Sequence, residues 1–330
     1  MIRSIEFLFP ITILICLICF CSNQDMTRII VFQALDIAKE NSINTKKLNW
    51  TIIEQEIIQQ LNQINSEKDL YETLQNLINR LQDNHSYLIT ADGKRWQEST
   101  KADRVVIEKR LPFNKLKNEQ IAYIEVKPMS STNKFAMDTY AENLYNTIIS
   151  SYRTDMTGWI LDFRKNTGGQ LWPMLAGLSP LINSDVAGYA IYPNGNYWQW
   201  WAKGGKAGVG ENLHHQIKSA NNQFINKKPI AILISKQTAS SGEASVISFI
   251  GQDNICLIGE QTRGLATVNQ PFKLDNGATL MLTTAHFGDR NKKIYPYGIK
   301  PDIKIANGNE KEGFNEIQLE TAIEWLKKQN

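Results

Sequence analysis

Cysteine and histidine are scarce in this chain, and charge of either sign is nearly balanced. Its 330 residues hold 4 cysteines, 4 histidines, 36 Lys+Arg and 33 Asp+Glu, for a net charge of +3. Cys16, Cys19 and Cys21 fall near the N-terminus, which leaves Cys256 alone in the body of the chain. One cysteine makes neither an intrachain disulfide nor a cysteine-based metal site, so no metal is expected, and Cys256, in the apolar run ICLIG, reads as a small core residue. The slight positive charge, without a Lys/Arg run, gives no electrostatic footprint for nucleic acid. Repeats and low-complexity tracts are missing, and 42% apolar with 21% charged residues is an ordinary globular composition. No cofactor is expected.

Long apolar runs are lacking except at the start. MIRSIEFLFPITILICLICFC has one early arginine and then an apolar stretch from Phe7 to Cys21. That is too short for a comfortable membrane span and suits the core of a signal sequence. Residues 1–21 therefore read as a signal peptide or a lipoprotein signal, with Cys21 as the lipidated residue in a membrane-attached form. Phe20 departs from the small residue normal before such a cysteine, so an uncleaved anchor and plain secretion stay open. Each alternative puts the body of the protein outside the cytoplasm.

Helical spacing dominates residues 26–82: Ile30, Ala34, Ile37 and Ala38, then Ile53, Ile57, Ile58 and Leu61, then Leu70, Leu74, Leu77, Ile78 and Leu81. Ser66 with Asp69 supplies a capping signal for the third helix. This defines a helical N-terminal domain over 26–90. From residue 120 strands and helices alternate, with strands expected at 121–126, 158–163, 229–234, 255–260 and 278–287, and helices at 134–152, 171–182 and 243–250. Their continuous apolar character marks 158–163, 229–234 and 255–260 as neighbouring buried strands. The fold class is α/β, with a core over 91–310 and a C-terminal helix over 311–330. The segment from Tyr192 to Gly210 shows no period and reads as a loop or hairpin insertion, while His214 and His215 sit in a polar, helix-like stretch whose solvated face accounts for them.

QTASSGEAS (237–245) leaves an expected strand through a cluster of hydroxyls and enters a helix. Two readings compete. Ser240 followed three residues later by Glu243 fits a capping box, whose side chains satisfy orphan amides. The same residues fit a nucleophile elbow, a serine at a tight strand-to-helix turn with an oxyanion site beside it.

Four segments at element ends are dense in polar residues and glycine: DNHSY (83–87), LDFRKNTGGQ (161–170), TASSGE (238–243) and GEQTRGLATVNQ (259–270). With GIKPDI (298–303), their order and spacing resemble the C-terminal processing, or tail-specific, serine protease family, in its tricorn-like branch, over roughly residues 70–305. The resemblance implies a crotonase/ClpP-like layered protease core and a serine-type endopeptidase acting on peptides or proteins. It implies Ser240 as nucleophile and, as backbone donors to the oxyanion, Gly168, Gly169 and the amide of Ser241. Glycine suits such a turn because close approach of backbone to substrate tolerates no Cβ. The better-known branch has a lysine base and a glutamine four residues on, where this chain has Leu265 and Asn269. Leucine takes no proton. The tricorn-like branch implies instead His85 as the base, since an imidazole accepts a proton at working pH. His286 is the fallback. The glutamate that would orient the histidine is replaced by Tyr295, leaving Asp289 as first candidate, with Glu243 and Asn84 behind it.

Two other functions remain beside the peptidase: a ligand-binding domain on the same fold, with Trp198–Trp201 lining its site, and an acyl or ester hydrolase. Ordinary packing and a lid over an extended peptide explain the tryptophans equally. Residues 90–120 are too few for a peptide-recognition (PDZ) domain, and none is expected.

Overall fold

The computed structural model describes residues 23–96, 116, 120–182, 185–220, 225, 228–305 and 314–329. The targeting segment with Cys21, and nearly all of the stretch where a PDZ domain was considered, lie outside them.

Three helices open the described chain: α1 (Asn23–Asn41), α2 (Trp50–Gln60) and α3 (Glu67–Arg80). Two begin at side-chain caps. Asn49 Oδ1 accepts from Ile52 N–H at 3.3 Å, and Ser66 Oγ accepts from Asp69 N–H at 3.2 Å. The apolar faces of the three helices meet each other and one face of an antiparallel sheet, burying Ile30, Ile53, Ile57, Leu74 and Leu77 against Leu88, Leu280 and Leu282.

That sheet has eight strands: β1 (Tyr87–Ile89), β2 (Arg95–Trp96), β5 (Gly188–Ile191), β6 (Tyr197–Lys203), β7 (Lys206–Val209), β8 (Asn212–Gln216), β11 (Thr267–Lys273) and β12 (Thr279–Gly288). Strand β12 is its spine, pairing β11 along most of its length, β1 at its first residues and β5 at its end. The second sheet is parallel, in the order β13-β10-β9-β4-β3, from β3 (Ile121–Glu125), β4 (Gly158–Asp162), β9 (Ile230–Ile234), β10 (Ile255–Gly259) and β13 (Ile303–Lys304). The three strands expected to be neighbours, β4, β9 and β10, are neighbours.

Period-two alternation decides which layer each residue of β9 joins. Ile230, Ile232 and Ile234 face α4 (Lys134–Ser151), α5 (Leu171–Leu178) and α6 (Ser241–Ile247), whereas Ala231 and Leu233 face α7 (Phe314–Lys327) through Leu319, Ala322, Ile323 and Leu326. Both faces are covered, as a parallel sheet requires. Helix α5 stops short of residue 182, at Leu178, two residues before Pro180, which has no N–H to continue the helical ladder. Cys256 lies in the α7 layer, and burial pushes its thiol up to about 12.

Two local expectations are corrected and one is decided. His214 and His215 belong to strand β8, not to a helix, and His215 is buried at 9% exposure. Of the two readings of the Tyr192–Gly210 segment the hairpin holds, built from β6 and β7. Its tryptophans form no single cluster: Trp200 is in the core, edge-on to Phe287 and donating to Ser248 Oγ at 3.0 Å, while Trp198 is 54% exposed. Alternation along β6 puts Trp201 on the opposite face from Trp200, while Trp198 shares the face of Trp200 and is exposed near the start of the strand. Among the described residues no helix is long and apolar enough to cross a membrane.

Candidate active site

The hydroxyls of QTASSGEAS stitch the end of β9 to the end of β4. Thr238 Oγ1 donates to Phe163 O at 2.9 Å, Ser235 Oγ to Arg164 O at 2.6 Å, and Ala239 N–H to Asn166 O at 3.0 Å. The chain then turns at Ser240, which has φ 52° and ψ −121°, in the left-handed half of the map that a residue with a Cβ avoids. Ser240 remains half-buried between buried Ala239 and Ser241, and α6 starts on the next residue. A capping box with Glu243 is also present, Ser240 N–H donating to Glu243 Oε2 at 2.9 Å. The capping-box reading holds, and the cap fastens a strained strand-to-helix turn.

Glu243 is fully buried, yet its carboxylate accepts four hydrogen bonds. Oε1 takes Thr262 Oγ1 at 2.6 Å and Gly264 N–H at 3.0 Å; Oε2 takes Ser240 N–H and Leu265 N–H, both at 2.9 Å. Burial raises its pKa, and the four donors oppose the rise. Glu243 therefore locks the elbow to loop 260–266 and has no part in orienting His85.

The glycine turn of LDFRKNTGG lies against the elbow. A Cβ on Gly168 would stand 2.9 Å from Ser240 Cβ and 3.0 Å from Ser241 N, and φ is +99° there. Ser241 Oγ donates to Gly169 O at 2.6 Å, tying the two turns together. Asn166 organises the glycines: its Oδ1 accepts from Gly168 N–H at 2.9 Å, and its Nδ2 donates to Val126 O at 2.9 Å. The Gly168 amide is thereby engaged inside the turn, which corrects its expected role as an oxyanion donor. Gly169 differs. The bridge between Met129 and Gly169 uses Gly168 O and Gln170 N–H and does not involve Gly169 N–H. Upstream, the Asp162 carboxylate is buried against the Arg164 guanidinium and the Tyr123 hydroxyl; burial would raise its pKa, but these partners hold it lower. This ion pair anchors the end of β4.

DNHSY folds onto the core although 182 residues separate its histidine from its partner. His85 Nδ1 is 2.7 Å from Thr267 Oγ1, and Asn269 Nδ2 donates to His85 O at 2.8 Å. Asp83 fixes the turn, accepting from His85 N–H at 3.0 Å and from Ser86 Oγ at 2.7 Å. A continuous path of bonds joins base to elbow: Thr267 N–H to Leu265 O at 2.8 Å, then Leu265 N–H to the Glu243 oxygen that also holds Ser240 N–H. Burial pushes the imidazole down to about 4; Asp83 opposes this, and Arg95 and Arg263 add to it.

Asp289 does not orient His85, a second correction. Its Oδ1 accepts from Asn291 N–H at 2.8 Å and Lys293 N–H at 3.0 Å, and its Oδ2 from Tyr295 O–H at 2.7 Å. It closes the turn after β12, and Tyr295 is its partner. Asn84 is exposed with φ 29° and serves the turn. His286 lies opposite Thr267 in the β11–β12 register, with Nδ1 buried and unpartnered and its pKa lowered by burial. Thr267 was missed because a lone threonine on a strand carries no sequence signal, while Asn269, read only as a lost glutamine, holds the histidine backbone.

A serine on a strained strand-to-helix turn with a glycine turn pressed against it is the local geometry of a serine-type hydrolytic class of site. The chain belongs to peptidase family S41, which it matches over residues 120–305. It is 33% identical over 201 residues to the nisin-resistance protein of Lactococcus lactis subsp. lactis, covering 58% of this chain and 57% of that protein. It is 27% identical over 208 residues to the carboxy-terminal processing protease CtpA of Bacillus subtilis (strain 168), covering 62% and 39%. The chain thus spans less than two thirds of the length of these curated relatives. Among solved structures, a lipoprotein from Streptococcus agalactiae superposes with a TM-score of 0.68 over 99% of this chain and 100% of that one, at 24% identity. The photosystem II D1 C-terminal processing protease superposes with a TM-score of 0.54 over 84% and 93%, at 10% identity. These likenesses are of fold.

Proposed function

We propose that this protein is an extracytoplasmic serine endopeptidase in which Ser240 attacks the scissile carbonyl, His85 accepts its proton, and the N–H groups of Gly169 and Ser241 receive the oxyanion. The observation that carries the reading is the elbow: Ser240 holds a φ of 52° while its own N–H is held by Glu243, Ala239 N–H by Asn166 O and Ser241 Oγ by Gly169 O. Strain of this kind persists where the surroundings over-determine it. In the reacting tautomer His85 Nδ1–H donates to Thr267 Oγ1, leaving the Nε2 lone pair to take the Ser240 proton and later return it to the leaving amine. Thr267 does for His85 what a carboxylate does in other triads, without a second charge.

Names of relatives favour a peptide or protein substrate, cut toward its carboxyl end. The apolar leader and the likeness to a lipoprotein support a place outside the cytoplasm, with Cys21 as a lipid attachment point. The two turns serve esters as well as amides, so an acyl hydrolase is the second reading. Turnover of peptide and ester substrates by the wild type, Ser240→Ala, His85→Ala and His286→Ala tests it. Equal losses at Ser240 and His85 are expected, because members of one catalytic unit are not additive. Activity that survives His85→Ala and vanishes in His286→Ala moves the base to His286. Inertness toward all substrates leaves a ligand-binding domain.

A further inference from the structure

Helix α1 carries an apolar row on its outer side. Met26, Ile29 and Phe32 are 42%, 42% and 43% exposed, while the opposite side of the same helix buries Ile30, Ala34 and Ala38. Spaced i, i+3, i+6, the three exposed residues fall within about 120° of arc and along about 9 Å of helix axis. Helix α2 runs beside this row. Arg28 Nη2 donates to Asn62 Oδ1 at 3.3 Å, just past the end of α2, and Lys39 Nζ donates to Glu54 Oε1 at 2.6 Å. Ile58 stands between those two contacts on α2 and is 43% exposed. A single exposed apolar side chain is ordinary, whereas four on adjacent turns of two packed helices form a patch that marks a contact surface.

The sequence says what lies against it. The apolar run from Phe7 to Cys21 ends two residues before α1 begins at Asn23. Two residues reach at most about 7 Å. A chain held in a membrane by that run, or by lipid on Cys21, therefore has the first turn of α1 at the bilayer surface, with no linker to carry the body away. The row lies within the first three turns, so laying the helix flat buries it in the headgroup region. Charge plays little part in this contact: the basic residues of α1, Arg28 and Lys39, are engaged with α2, and Asp25 and Asp36 lie at either end of the row.

We propose that the outer face of α1, with Ile58 of α2, is a membrane-contact surface that seats the helical layer on the outer face of the bilayer. The inference rests on the membrane-attached form of the extracytoplasmic reading and is independent of the hydrolytic chemistry. Its consequence is an orientation. Helices α1 to α3 cover one face of the antiparallel sheet, and α6 packs on the other side through Ala244 and Val246 with Trp200 and Phe287. A helix layer and a sheet then separate the bilayer from the helix that starts after Ser240, roughly 20 Å, so the substrate comes from the aqueous space.

Photocrosslinking of the full chain in intact bacterial cells fed radiolabelled fatty acid tests the proposal. The photoreactive residue p-benzoylphenylalanine replaces Ile29, Phe32, Phe135 or Leu213, one at a time, and membrane and soluble fractions are separated after irradiation. Phe135 on α4 and Leu213 on β8 are more exposed, at 79% and 50%, and belong to other parts of the fold, so they control for exposure alone. Lipid adducts are expected at 29 and 32 and none at 135 or 213. With the probe in place of Ile58, the combined changes Met26→Gln, Ile29→Gln and Phe32→Gln should lower the lipid adduct about tenfold, with an unchanged thermal midpoint. Adducts from 29 and 32 to a second copy, or to residues 7–21 of the same chain, overturn the proposal, as do equal lipid adducts at all four positions. Protein in the membrane fraction without adducts removes the proposal and keeps the attachment. Protein in the soluble fraction without adducts removes both.

Discussion

Replacing Glu243 by glutamine preserves shape and volume and removes one acceptor. The carboxylate distributes four donors as two per oxygen, Thr262 and Gly264 on Oε1, Ser240 and Leu265 on Oε2. Whichever oxygen becomes NH2, two donors face a donor. A hydrogen bond to a charged group contributes about 1.5–3 kcal/mol, so two losses amount to about 3–6 kcal/mol. Relief from burying a charge returns part of this, leaving a net cost of about 2–4 kcal/mol. At roughly 2–4 °C per kcal/mol for a domain of this size class, the thermal midpoint should fall by about 4–16 °C. The elbow should loosen with it, so labelling of Ser240 by a fluorophosphonate should slow even at temperatures where the protein stays folded. Circular dichroism melts and labelling time courses on the same samples measure both. A midpoint within about 2 °C of the wild type, with unchanged labelling, refutes the view that this carboxylate holds the elbow.

Gly169→Ala should abolish activity while the protein still folds, because a Cβ there collides with Met129 O and φ is +109°; a comparison of kcat/KM with a thermal melt checks it. The base must be neutral to work, and burial keeps His85 neutral down to about pH 4, so the acidic limb of kcat/KM should lie near pH 4 and not near its ordinary 6.5. The same lowered pKa means that the unfolded chain takes up this proton first as pH falls from 6.5 to about 4, so His85 makes folding less favourable through that window and has no such effect above it. A limb at 6.5 contradicts the assignment. Thr267→Val should lower kcat about 10- to 100-fold with little change in KM, since it releases the His85 ring without touching substrate; an unaltered kcat would show that the 2.7 Å contact does not orient the base.

The layers were legible in the chain because burial on both faces leaves a signal that no local exception erases. GWIL and IAILI are apolar throughout and lie in central parallel strands; helices α1 to α3 kept the spacing of their buried stripe. The elbow was half legible: Ser240 and Glu243 stood out at the capping-box distance, but the strained backbone of Ser240 leaves no mark in the sequence. What sequence could not carry was pairing across distance. Thr267 meets His85 over 182 residues, and nothing near either residue announces the other. Asp289 looked right for the reverse reason: a carboxylate at a strand end fits an orienting role in the abstract, yet its own turn amides and Tyr295 claim both oxygens. The β6–β7 hairpin was only one of two readings of its segment, because exposed and buried tryptophans side by side blur the alternation that marks a strand.

Fluorophosphonate labelling followed by peptide mapping tests the central claim most directly. The account predicts a single adduct, on Ser240, in the wild type. It predicts none in Ser240→Ala, strong slowing in His85→Ala, and near-normal labelling in His286→Ala. An adduct on Ser241 or elsewhere, or labelling of Ser240 at full rate without His85, would contradict it.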